Sequence, residues 1–362
     1  LYAGTEYGMY VSRDNGANWI SFQLNLPVVP ITDLTIKDNN LIVATQGRGF
    51  YVLDELSLLQ QYDPVVFSKA LHVFEPDLAW RFTENPYSRY GGSGRIAGEN
   101  PSSGAVVPFY LSSITDSTKC IVSIFDKNKK LIRRYGIDEK EKLDWNPGMN
   151  EFVWDLRYPS SDRAEGMVLW NGVPSNFIAP PGEYTVRIHA GNDSADVSLR
   201  VLANPNYSLT QEGYEQQFAL LNDIQNKFNE VQKAIKDVRT IRSQIQAFTK
   251  RLGVNCPKEV TALADNIIKQ LTAIEEVCYQ TKAKSSQDVL NYPIRLNDKL
   301  SGLFDVVNSG VNAPSAQARE VYQELSRQAD EQINKLKSIQ SNELIQLNKL
   351  IREKELPVIG LE

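Results

Sequence analysis

Histidine and cysteine are almost missing from this chain of 362 residues, which has two of the first and three of the second. His72 and His189 stand about 117 residues apart, and Cys120, Cys256 and Cys278 form no CxxC pair. That supply is too thin and too scattered for a His/Cys zinc site. Three thiols cannot all pair within one chain. A bridge between Cys256 and Cys278 is conceivable because they flank one predicted helix, while unpaired buried thiols are the plainer reading. No apolar run approaches 18 residues, which excludes a membrane-spanning helix. There is no basic block, and a net charge of −5 gives no pull toward nucleic acid or an anionic membrane. A glycine-rich phosphate loop, a nucleophile elbow and any cofactor-binding pattern are missing as well. What remains is 42% hydrophobic and 23% charged, ordinary for a globular protein and long enough for two or three domains.

The first 56 residues repeat themselves. Leu1-Tyr2-Ala3-Gly4-Thr5, followed by Gly8-Met9-Tyr10-Val11, returns as Leu41-Ile42-Val43-Ala44-Thr45, followed by Gly49-Phe50-Tyr51-Val52. The offset of about 40 residues is the size of one four-stranded propeller blade. Each copy reads as a strand, a short turn and a second strand, with Ile31 to Ile36 an inner strand between them. Between the copies lies Ser12-Arg13-Asp14-Asn15-Gly16-Ala17-Asn18-Trp19, which has the form S-x-D-x-G-x-x-W. In such a turn Asp14 accepts backbone N–H groups, Gly16 supplies a conformation other residues resist, and Trp19 packs beneath. All of these roles are structural, including that of Ser12. Residue 1 is Leu and already lies in a strand pattern, which reads as a chain whose natural start, and any signal peptide with it, is missing. About 56 residues cannot close a propeller ring, so partial blades with covered edges are expected.

Residues 57–104 read as a connector punctuated by Pro64, Pro76 and Pro86. Strands are then expected at Ala105–Leu111, Cys120–Asp126, Leu131–Tyr135, Asn150–Asp155, Tyr184–Ala190 and Asp196–Leu202. Asp126 to Lys129 reads as a hairpin turn, and Pro147-Gly148 and Pro181-Gly182 as turns before strands. This spacing predicts a β-sandwich of immunoglobulin or fibronectin type III kind over residues 105–204, with Pro159 to Pro180 a loop inserted between two strands.

Beyond Asn204-Pro205 the period changes from two to nearly four. Leu221, Ile224, Phe228, Val231, Ile235, Val238, Ile241, Ile245, Phe248 and Leu252 form almost a heptad seam, stopped by Gly253. A second helix fits Pro257 to about Thr281, a third carries Leu296 to Val307, and a last one runs from Pro314 to Glu355. Two helices of some 40 residues, each about 60 Å long, with two shorter ones predict an antiparallel four-helix bundle over 205–362. Its long seams are a candidate homodimer contact.

Together these features resemble the C-terminal part of a bacterial sortilin-type protein, a β-propeller built from neuraminidase (aspartate-box) repeats and often labelled a glycosyl hydrolase. The box, Ala44-Thr45-Gln46-Gly47-Arg48-Gly49-Phe50-Tyr51-Val52-Leu53-Asp54, Gly98-Glu99-Asn100-Pro101, Trp154 to Pro159 and Asn291 to Asn297 carry the resemblance. Animal sortilins continue into a cysteine-rich module that three cysteines do not match. The resemblance implies export, upstream blades as partners, and a non-catalytic supporting or interacting role for this region. Two alternatives go with it. In one, a glycoside hydrolase pocket is completed by Arg48, Glu6 and Tyr7, which fall on turns of the face opposite the box. In the other, the region is a carbohydrate-binding accessory whose aromatic residues, Trp80 and Tyr90 foremost, with Tyr87 and Trp170 beside them, stack on a glycan; a protein ligand is a further candidate partner. A glycosidase needs two carboxylates at a defined separation, and two partial blades supply no such pair.

Overall fold

In the computed structural model, residues 1–82, 102–114, 119–137 and 143–357 are described, and they mix β-sheets with long helices. The chain divides into two compact units: Leu1–Leu156 with Pro181–Asn204, and Arg157–Pro180 with Pro205–Glu362.

The first unit opens with two antiparallel three-stranded sheets. One is β1 (Tyr2–Thr5), β2 (Gly8–Val11) and β3 (Ile20–Ser21); the other is β4 (Ile31–Lys37), β5 (Asn40–Thr45) and β6 (Gly49–Leu53). The repeat seen in the sequence recurs as geometry. Thr5 Oγ1 donates to the carbonyl of Gly8 at 3.0 Å, and Thr45 Oγ1 donates to that of Gly49 at 2.7 Å, closing the same turn in each copy. Asp38 and Asn39 both have positive φ, 50° and 61°, as the two-residue β4–β5 hairpin demands. Gly4 is required by crowding, since a Cβ there would stand 2.5 Å from Ile31 Cγ2. Met9, Leu41, Val43 and Leu56 form a small core shared by the two sheets; Leu56 opens the short helix α1 (Leu56–Gln60).

The rest of this unit holds two further sheets, of three and five strands. β7 (Leu71–Val73), β9 (Ala105–Leu111) and β12 (Gly148–Trp154) make one, in the order β12-β9-β7. β8 (Ala79–Trp80), β10 (Cys120–Phe125), β11 (Leu131–Tyr135), β13 (Gly182–Ala190) and β14 (Asp193–Leu202) make the other, in the order β11-β10-β13-β14-β8. Only β8 pairs in parallel, on β14. Ring pairs join the sheets face to face: Trp154 with Tyr184, and Tyr135 with Phe152, each at 5.1 Å. The expected strands are present, and β12, β13 and β14 start a few residues earlier than periodicity suggested. The turn at Asp126 forms through its carboxylate, which accepts the N–H groups of Asn128 and Lys130. One expectation is corrected. The stretch from residue 57 to 82 is not a plain connector: besides a 3₁₀ turn it supplies β7 and β8 to the two sheets. These strands are too short, three and two residues, to show a period.

The second unit is built on α2 (Gln211–Leu252), α3 (Lys258–Cys278), α4 (Leu296–Asn308), α5 (Ala316–Ser341) and α6 (Glu343–Glu353). Thr210 and Ser315 cap α2 and α5 by accepting the N–H groups of Gly213 and Ala318, both at 3.1 Å. Gly253, at φ 48°, ends α2 as expected. The seam residues of α2 are buried or half-buried, and α2 packs against α3, α4 and α5 within the chain. The last helix is not continuous. It breaks at Asn342 (φ −118°, ψ −79°), beside Ser341, whose Oγ donates to the Ser338 carbonyl at 3.2 Å, a short polar side chain bonding back onto the helical backbone. Past the break, α6 packs on α3 and buries Leu347.

Arg157–Pro180, expected as a loop of the sandwich, belongs with the helices. It leaves β12 at Leu156, held at a positive φ of 59°, and its Ala164, Met167, Leu169 and Phe177 are part of the helical core.

Candidate functional site

The S-x-D-x-G-x-x-W turn sits between β2 and β3, and its hydrogen bonds explain its spacing. Asp14 accepts the backbone N–H of Asn18 at 2.8 Å and the Asn18 side-chain amide at 2.7 Å. Ser12 Oγ donates to Asp14 at 2.8 Å and accepts the N–H of Gly16 at 2.7 Å. Asn15 and Gly16 take φ of 55° and 94°, and Trp19 lies 4.0 Å from where a Gly16 Cβ would stand. Four donors converge on Asp14 and Ser12 within one loop, so the turn is a closed local network. The Asn18 N–H groups, then Ser12, pull the Asp14 carboxyl down to about 2. Trp19 is only partly covered, with 43% of its surface exposed.

The residues proposed for ligand contact are spread out. Glu6 and Tyr7 form the exposed β1–β2 turn, and Arg48 the exposed β5–β6 turn with Gly47 and Gly49, both at positive φ. No hydrogen bond or ion pair joins Arg48 to Glu6 or Tyr7 among the described residues. Trp80 is partly exposed on the edge strand β8, its ring 6.4 Å from that of Phe82. Tyr87, Tyr90 and Gly98–Pro101 lie outside the described residues. Trp170 is in the other unit. The three cysteines are free thiols, and burial with the Glu275 charge pushes Cys278 up to about 12.

Sequence reasoning missed a more elaborate arrangement in the helical unit. Residues 157–180 have little regular structure, yet helix side chains supply many of their backbone partners. Gln225 Nε2 donates to the Pro159 carbonyl at 2.8 Å, and Gln232 Oε1 accepts the Ala164 N–H at 3.0 Å. Arg239 donates to the Glu165 carbonyl at 2.6 Å, and Tyr279 Oη accepts the Val168 N–H at 3.1 Å. The buried Asp298 carboxylate accepts the N–H groups of Trp170 and Asn171, both at 2.9 Å. Phe177 is fully buried among Tyr158, Phe218 and Phe304, stacked on Tyr158 at 5.0 Å. Extended backbone can be buried only when its polar groups find partners, and here helix side chains serve as those partners.

Beside this segment is a cleft of about 540 Å³, lined by residues of α2, α3, the turn after α3 and the segment itself. At its wall the buried Glu275 holds two guanidiniums. Oε1 accepts from Arg239 Nε and Oε2 pairs with Arg242 Nη2, each at 2.6 Å. Arg242 Nη1 also reaches Thr272 Oγ1 at 3.5 Å, and Arg239 stands 5.6 Å from the Tyr279 ring centroid. The signal available in the sequence was a carboxylate on an apolar stripe. Glu275 follows Leu271 by four and precedes Cys278 by three, which puts it on the buried face of α3.

No protein-family model matches the chain, and no curated protein matches it.

Proposed function

We propose that this chain is the terminal region of an exported aspartate-box β-propeller protein of glycosyl-hydrolase-like type, with a supporting and docking role rather than a catalytic one. In this reading the β1–β3 and β4–β6 sheets are blade sheets, the two facing sheets an immunoglobulin-like sandwich, and the helices a bundle. The observation that carries the reading is the hydrogen-bonded turn of Ser12, Asp14, Gly16 and Asn18 within a repeat whose two copies close their hairpins alike. The apolar side chains left bare on both sheets support it further. Ile20 on β3 is 55% exposed, and Phe50 and Val52 on β6 are 78% and 56% exposed, as expected of faces that neighbouring blades cover. The test is hydrogen exchange on the protein as expressed from its own gene, compared with residues 1–362 alone. Added blades should slow exchange across β1–β6, and identical exchange in the two would sink the reading.

A second reading, a carbohydrate-binding surface, is favoured by the paired, partly exposed rings of Trp80 and Phe82. It requires that Trp80→Ala abolish glycan-array binding while leaving the circular dichroism spectrum unchanged.

A further inference from the structure

The cleft beside residues 157–180 has no part in the function proposed above. Its lining bears three cations, Arg239, Arg242 and Lys284, against two carboxylates, Glu275 and Glu276. Glu275 is buried and both of its oxygens are engaged, so its charge is spent on holding the guanidiniums in place. Among the described residues each guanidinium keeps N–H donors that no group uses, because Arg239 engages only Nε and Nη1, and Arg242 only Nη1 and Nη2. Lys284 is exposed, and its ammonium forms no salt bridge among the described residues. Two forks fixed in advance, with a free ammonium on the same cleft, lose little freedom when they engage a planar or tetrahedral oxyanion. Val168 and the Tyr279 ring add apolar wall, Thr281 a hydroxyl, and the volume falls in the ~300–1,000 Å³ range of small-molecule sites.

We propose that this cleft binds a small ligand through an oxyanion, phosphoryl or carboxylate, with Arg242 and Lys284 as the principal contacts and Glu275 as the residue that positions the guanidiniums. Isothermal titration calorimetry on the full chain tests it, with inorganic phosphate and succinate as separate probes at constant ionic strength. Saturable binding of phosphate alone assigns a phosphoryl ligand, and of succinate alone a carboxylate. Lys284→Ala, an exposed change that leaves the Glu275 pairs intact, should weaken binding three- to tenfold. Arg242→Lys, which keeps the charge but loses the fork, should weaken it about tenfold or more. Arg327→Ala, on an exposed face of α5, should have no effect. Absence of saturable binding by either probe overturns the proposal, as does equal binding by the native chain, Lys284→Ala and Arg242→Lys.

Discussion

The two ends of the chain handle their apolar surface in opposite ways. In residues 1–56 a few side chains, Met9, Leu41, Val43 and Leu56, are fully buried, while Phe50, Val52, Ile36 and Leu24 face solvent. In the helical unit the long α2 seam is covered from several sides, and a segment recruited from between β12 and β13 adds Met167, Leu169 and Phe177 to the same core. The first region has clear local rules, a repeat and a hydrogen-bonded turn, but little burial. The second has less regular local structure at its inserted segment and far more burial. Precise turns fix the shape of a sheet, whereas burial supplies most of the stabilisation. The amino-terminal sheets are therefore shaped by local turns and leave apolar side chains in solvent, as the proposed neighbouring blades would require, while the helical unit covers its seam from within the chain.

Substitutions can break this contrast, and the largest effect falls in the helical unit. Phe177→Ala empties a site enclosed by Tyr158, Phe218 and Phe304 and should cost about 3–5 kcal/mol, read as a shift of the urea midpoint by far-ultraviolet circular dichroism. Asp298→Ala removes the acceptor of two backbone N–H groups and should cost about 2–4 kcal/mol. The amides of Trp170 and Asn171 should then lose exchange protection first; retained protection would show that the segment does not depend on this carboxylate.

Smaller effects belong to the amino-terminal sheets. The Asp14 carboxyl is lowered in the fold from 3.8 to about 2, so protonating it opposes the folded turn. The turn's contribution is full above about pH 4 and is lost as pH falls through about 2. The amide exchange of Gly16 and Asn18 should accelerate over that window, and should lose this acid dependence in Asp14→Asn. The smallest effect is that of Phe50→Ser, which should change stability by less than about 0.5 kcal/mol because the ring is already in solvent. A large loss there would mean that the face is covered within the chain.

How legible these features were followed from how local their causes are. Helices α2, α3 and α4 could be read because their apolar spacing is their cause, and the Ser12–Trp19 turn because its partners lie within eight residues. The inserted segment could not be read. Its apolar anchors, Ala164, Met167, Leu169 and Phe177, follow no period, and its backbone is satisfied by Gln232, Tyr279 and Asp298, about 70 to 130 residues away. The break at Asn342 likewise falls inside an otherwise continuous periodic run, so apolar spacing does not mark it. The cleft shares this distance: Glu275 meets Arg239 and Arg242 only once α2 and α3 are side by side. Arg48, Glu6 and Tyr7 were legible as exposed turn residues, and folding brings no bond between them.

Native-state hydrogen exchange by mass spectrometry on the full chain compares the two regions most directly. The amides of β1–β6 should exchange through low-energy local opening, at least a hundredfold faster than those of Ala164, Val168, Trp170 and Asn171, which exchange only when the helical unit opens. Equal protection in the two regions would contradict the claim that burial within the chain stabilises the helical unit far more than the amino-terminal sheets.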